Sequence, residues 1–129
     1  MSGDPSEFDL SAAWLRRAQG DFKAFIAAFG ARMAGALPDR VTLERKRDGF
    51  FSAQSHVARV MIETETNIFS LGLVQNRLVA MRTKSVRGVV LKSEEMPVPS
   101  WLAALDAEIK ALAEHAGSAQ TVLHDFLMS

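Results

Sequence analysis

At 129 residues, 48% apolar and 23% charged, the chain fits one globular domain with one core, and global disorder is excluded. The absence of cysteine excludes disulfides, thiolate metal sites and cysteine nucleophiles, and it suits a reducing compartment. Net charge is zero but segregated: residues 40–92 carry ten basic against four acidic side chains, a surplus of six, and residues 93–129 carry one against six, a deficit of five.

Residues 1–8 are polar, with Gly3 and Pro5, and read as a disordered leader ahead of a single domain over 9–129. The opening MSGDPSEFDL lacks the basic and apolar regions of a secretory signal, and no stretch approaches the ~18 apolar residues of a membrane span. The expected location is therefore the cytoplasm. From about Ser11 a helical period sets in, with Trp14, Ala18, Phe22, Phe25, Ile26, Phe29, Met33 and Leu37 on one stripe. Asp9 or Ser11 is the expected cap, and Gly35 and Pro38 the expected stop. Three phenylalanines on one stripe need a broad apolar surface beneath them, which a sheet provides.

Alternation over Val41–Arg47 predicts a first strand, followed by the turn signal Asp48-Gly49 and, after Phe50 and Phe51, an irregular SAQS segment. Three more strands are predicted over His56–Glu63, Ile68–Leu73 and Leu78–Lys84, with turns at Thr66-Asn67 and Gln75-Asn76-Arg77. A short fifth covers Gly88–Lys92. Strands this short with tight connections form an antiparallel meander rather than βαβ units. The two prolines of MPVPS suit the start of a helix, and Trp101, Leu102, Leu105, Ile109, Leu112 and Ala116 continue it until Gly117. Ser118 caps a last short helix with Val122, Leu123, Phe126 and Leu127 on its apolar face, and Phe126-Leu127-Met128 is expected to end it as an exposed apolar run. The fold class is α+β: a long N-terminal helix, an antiparallel meander of four to five strands, a C-terminal helix and a short last helix.

No residue pattern matches a known chemical site. His56, His115 and His124 fall on three different elements without the paired spacing of a metal site, so neither metal nor cofactor is expected. GxSxG and SxxK are absent, Ser55-His56 and His124-Asp125 are only fragments of a triad, and no catalytic residue is assigned. Glu63/Glu65 and Glu94/Glu95 read as exposed acidic turn and strand-end residues. Glycines are scattered rather than clustered as in a phosphate loop, although Gly88 lies in the basic run Lys84–Gly88, where a strand glycine marks a bulge or bend. The basic strands carry the sharper signal. Arg45, Arg47, Arg59, Arg82, Lys84 and Arg87 are expected to form a positive patch on the sheet face turned away from the helices, with Phe50 and Phe51 as apolar anchors at its rim.

KSVRGVVLKSEEMPVPSWLAALDAEIKALA (84–113), with RDGFFS (47–52) and DFL (125–127), resembles a group of small, uncharacterised actinobacterial single-domain proteins. The resemblance spans most of 10–127 and implies a bacterial, cytoplasmic, stand-alone domain, and it carries over no activity, ligand or active residue. In outline the chain is also similar to secretion-chaperone-like folds, which differ in placing a helix among the strands. The functional expectation is a non-catalytic protein-binding or adaptor domain, homodimeric, presenting its arginines to an acidic partner. The alternative is a nucleic-acid or anionic-ligand binding module on the same face. A small-molecule or enzymatic pocket between the first helix and a curved sheet is the third reading.

Overall fold

The computed structural model describes residues 18, 21–51, 53–112 and 116–128. Within them the order is α1 (Phe22–Ala36), β1 (Val41–Arg47), β2 (Ser55–Glu63), β3 (Asn67–Val74), β4 (Arg77–Val86), β5 (Val89–Met96), α2 (Val98–Ala111) and α3 (Ala116–Met128). The five strands form one antiparallel sheet in sequential order, so the class is α+β with a meander.

The first helix begins afresh at Phe22 rather than running on from Ser11. Asp21 is its N-cap, with an extended backbone (φ −97, ψ 81) and a carboxylate that accepts from the Ala24 N–H at 3.0 Å. The expected caps Asp9 and Ser11, the leader 1–8 and Trp14 lie outside the described residues, whereas Ala18 is helical and buried. Gly35 does not stop α1: the helix passes through it and ends at Leu37, before Pro38. Phe25, Ile26, Phe29 and Met33 are buried at the three- and four-residue steps the sequence shows.

Residues 75–76 and 87–88 make two-residue hairpins with positive φ at both positions (Gln75 50°, Asn76 62°, Arg87 52°, Gly88 80°). Gly88 thus belongs to a turn, not to the start of a strand, and β5 extends to Met96 instead of ending at Lys92. One extra residue interrupts each outer pair, Ala58 in β2 opposite Glu44/Arg45 and Leu91 in β5 opposite Lys84/Ser85.

Helices α1 and α2 pack on one face of the sheet, and α3 packs against both of them. Phe29 is central: its ring lies 5.8 Å from Trp101 of α2, 6.0 Å from Phe126 of α3 and 6.1 Å from Phe25, and Trp101 in turn meets Phe69 of β3 edge-on at 6.0 Å. The Trp101 indole N–H donates to the Met81 carbonyl at 3.0 Å, which ties α2 to β4. Phe126 and Leu127 are fully buried in this cluster, so the expected exposed run at the C-terminal end reduces to Met128 alone. Helix α2 stops at Ala111, with Leu112 extended and buried, and Ala116 and Gly117 already belong to α3. A polar clasp joins the last two helices: the nearly buried Asp106 carboxylate accepts from Gln120 Nε2 at 3.2 Å and lies 2.6 Å from His124 Nε2. Among the described residues no helix is long and apolar enough to cross a membrane.

Candidate functional site

Cross-strand partners in a ladder project from the same face, which allows each basic residue to be placed. Arg45 is the partner of the buried Val57, and Arg82 of the buried Phe69, so both stand on the helix-bearing face. Arg47 and Lys84, two residues further along β1 and β4, follow them. Arg59 pairs with Glu44 and Gly72 on the opposite, uncovered face, and Arg87 occupies the β4–β5 turn. The expected single patch on the face away from the helices does not form. Strand alternation assigns charged residues to the wet side of a sheet, but the helices cover only the middle of their own side, and its rim is also wet. Arg45, Arg47, Arg82 and Lys84 sit on that rim at two separate places.

The first place is the β1–β2 end. Phe50 and Phe51 are 92% and 101% exposed, side by side with ring centroids 6.3 Å apart, on the loop between β1 and β2. Arg47 reaches the Phe50 carbonyl at 3.5 Å, and Arg45 Nε donates to Ser55 Oγ at 3.2 Å. The loop is tethered to α1 through Asp48, whose carboxylate lies 2.5 Å from His56 Nδ1 and 3.6 Å from Lys23 Nζ. The hydrogen bond from His56, with the Lys23 charge adding to it and partial desolvation opposing, holds the Asp48 carboxyl below the ordinary carboxylate value. Beside the tether an open groove of about 410 Å³ runs between α1 and the β1–β2 edge, floored by Ala24, Ala27, Ala31, Leu43 and Val57. It lies where the sequence allowed a helix–sheet pocket. Ser55, His56 and Asp48 meet here, but Ser55 is engaged by Arg45 and His56 by Asp48.

The second place lies toward the β2–β3 and β4–β5 turns. Thr66, Asn67, Arg82, Lys84, Lys92 and Glu94 line a concavity of about 370 Å³. Arg82 and Glu94 are cross-strand partners joined by a short ion pair, which lowers the Glu94 pKa. Lys84 and Lys92 are the next pair on the same face. Asn67 Nδ2 donates to Glu108 of α2 at 3.1 Å, and the same carboxylate accepts from Thr64 at 2.8 Å. Lys92 was not among the residues singled out from the sequence, because only the register shows it opposite Lys84.

His124 pairs with Asp106 rather than with its sequence neighbour Asp125, and His115 lies outside the described residues. Among the described residues no three His, Asp or Glu side chains are grouped as metal ligands are. Exposed apolar residues also gather on the β4–β5 hairpin, where Val89, Val90 and Leu91 are each about 60% exposed. Searched against known proteins, the chain matches no family model, no curated protein and no solved structure.

Proposed function

We propose that this is a non-catalytic protein-binding domain that docks an acidic, apolar-grooved partner on its β1–β2 end. The observation that carries this reading is the pair Phe50 and Phe51, both almost wholly exposed on one loop. Burying a phenylalanine side chain is worth about 1.5–3 kcal/mol, so the loop holds a large association energy that the free chain leaves unused. Arg47 bonds the Phe50 carbonyl and Arg45 bonds Ser55 where β2 begins, and aromatic residues with arginine are the composition of binding hot spots. Lys23 adds to the positive field, against Asp48 and Asp21. The alanine-floored groove beside the loop offers room for a segment of the partner. Composition without cysteine suits the cytoplasm as the place of work.

The test is a photo-crosslinking amino acid at position 51, with position 77 as an exposed control on the β3–β4 side. The expected result is one discrete adduct from position 51, none from 77, and loss of the adduct when Arg45 and Arg47 are changed to Glu. The identified partner then binds at least about a hundredfold more weakly to the Phe50→Ala/Phe51→Ala double variant, in keeping with two lost aromatic anchors. Those side chains touch little of the fold, so the variant remains folded. An adduct between two copies of the chain would make the occupant a second copy, as the homodimer expectation has it. Equal labelling from both positions, or binding to anionic vesicles through the two rings, would overturn the proposal.

A further inference from the structure

The concavity lined by Lys84 and Lys92 is at the far end of the sheet from the aromatic loop and is independent of it. Like charges directly opposite one another across two strands are unfavourable, and a sheet seldom carries them without something to offset them. Here the neighbouring side chains offset it only in part. Among the described residues Glu94 is the one carboxylate lining the concavity, and it serves the Arg82 ion pair first and Lys92 more weakly, one negative charge against three positive ones. Two ammonium groups therefore face one recess of about 370 Å³, which is within the size range of a small-molecule site. At its edge Thr66 accepts from Asn67 Nδ2 at 3.4 Å, which leaves the Thr66 hydroxyl proton to donate inward. The strand end is held in place by the Ser85 N–H bond to the Thr66 carbonyl at 2.8 Å, so the walls of the recess are joined through backbone.

We infer that this recess is an anion site for the dianionic phosphate group of a small molecule, held between Lys84 and Lys92 with the Thr66 hydroxyl as a third donor. Two compact point charges suit a tetrahedral dianion, and the Arg82 guanidinium, which could also take a phosphate, is paired with Glu94. The carboxylates of Glu94 within the recess and Glu108 beyond Asn67 flank the site on two sides. Outside the recess, Glu108 would repel an extended polyanion continuing past it, which sets the ligand apart from a nucleic-acid strand.

Amide chemical shifts of the full chain would be followed while sodium phosphate replaces sodium chloride at constant ionic strength, and glycerol 3-phosphate would be titrated in a second arm. Saturable shifts at Thr66, Asn67, Lys84 and Lys92 are expected, with a Kd on the order of 1 mM for inorganic phosphate. Tighter binding of the ester assigns the remaining volume to an organic portion, and equal binding assigns the site to the phosphate group alone. Lys92→Gln should weaken either ligand at least tenfold and leave the protein as thermally stable as before or more so, because it removes a like-charge pair. That stability readout separates a lost site from a lost fold. Phosphate should raise the melting temperature of the parent chain and not of the variant. Shifts that do not saturate, that are equal in Lys92→Gln, or that an oligonucleotide reproduces together with shifts at Arg45, Arg47 and Arg59 would overturn the inference.

Discussion

Two glycines of α1, five residues apart, should respond to the same substitution with opposite signs. At Gly30 an added Cβ would lie 2.8 Å from Val60 Cγ2 and 2.9 Å from Leu43 Cδ2, whereas at Gly35 it would meet nothing within 4 Å. Carbon atoms pack at about 3.5–4.0 Å, so the new methyl at position 30 overlaps Val60 by roughly 0.7 Å or more. Leu43 is half-buried on an edge strand and can swing aside. Val60 is wholly buried in β2 and, being β-branched, has few rotamers to move into. Overpacking of this kind costs about 1–3 kcal/mol, against a gain of about 0.5–1 kcal/mol from replacing glycine inside a helix. Gly30→Ala should therefore lose up to about 2.5 kcal/mol, with a mid-range loss of about 1 kcal/mol, and Gly35→Ala gain about 0.5–1 kcal/mol. For a chain of this length that is a fall of roughly 3–8 °C in melting temperature against a rise of roughly 2–4 °C, readable by circular dichroism. Repeating Gly30→Ala in a Val60→Ala background tests the cause, since the missing Cγ2 should return about 1 kcal/mol of coupling. Glycines that respond alike, or a coupling of zero, would refute the close approach of α1 to β1 and β2.

Trp101→Phe removes the bond to the Met81 carbonyl and part of the volume between Phe29 and Phe69, and should cost about 1.5–3 kcal/mol in equilibrium denaturation. Asp106→Ala strips the acceptor from Gln120 and His124 and should cost about 1–3 kcal/mol, with Asp106→Asn costing less because one carbonyl oxygen remains; urea midpoints distinguish the two. The Asp48 carboxyl titrates below its unfolded value of 3.8, so its contribution is complete above that pH and is lost as pH falls through the lower, folded value. Stability measured across that acid range should decline less steeply in Asp48→Asn than in the parent chain, and an unchanged slope would count against the tether to His56 and Lys23.

Much of the architecture was legible because its signals are local. The bounds of β1 coincide with the alternating run Val41–Arg47, β2 begins one residue early, and the turn at Gln75-Asn76 falls where polar turn residues interrupt alternation. What escaped was also local but of a kind that periodicity does not register. The helical stripe continues through Gly20-Asp21, so hydrophobic spacing alone draws one long helix, whereas the Asp21 carboxylate starts a new one. That signal was present, since aspartate directly before an apolar periodic run is a helix-start pattern. Arg87 in the left-handed region is rarer, because a side chain there is strained unless a tight hairpin requires it, and strand periodicity draws the turn's glycine into β5 instead.

The candidate sites were legible by residue type and not by location. Charge at alternate strand positions indicates contact with water, but it does not say which face of the sheet supplies that contact. Buried Phe69 and Val57 opposite Arg82 and Arg45 show that one face changes from dry to wet within a single strand spacing of the helix layer. That boundary depends on where two helices end over the sheet, a tertiary property. It also explains why the basic surplus of the central segment separates into two groups with different chemistry. Near β1 the arginines flank two free aromatic rings, a combination suited to a protein surface. Near β5 the register sets lysine against lysine at an open recess, which suits a compact anion. The same count of positive charges thus yields two chemically distinct surfaces, because the pairing of strands decides whether each cation faces an open loop, a carboxylate or another cation.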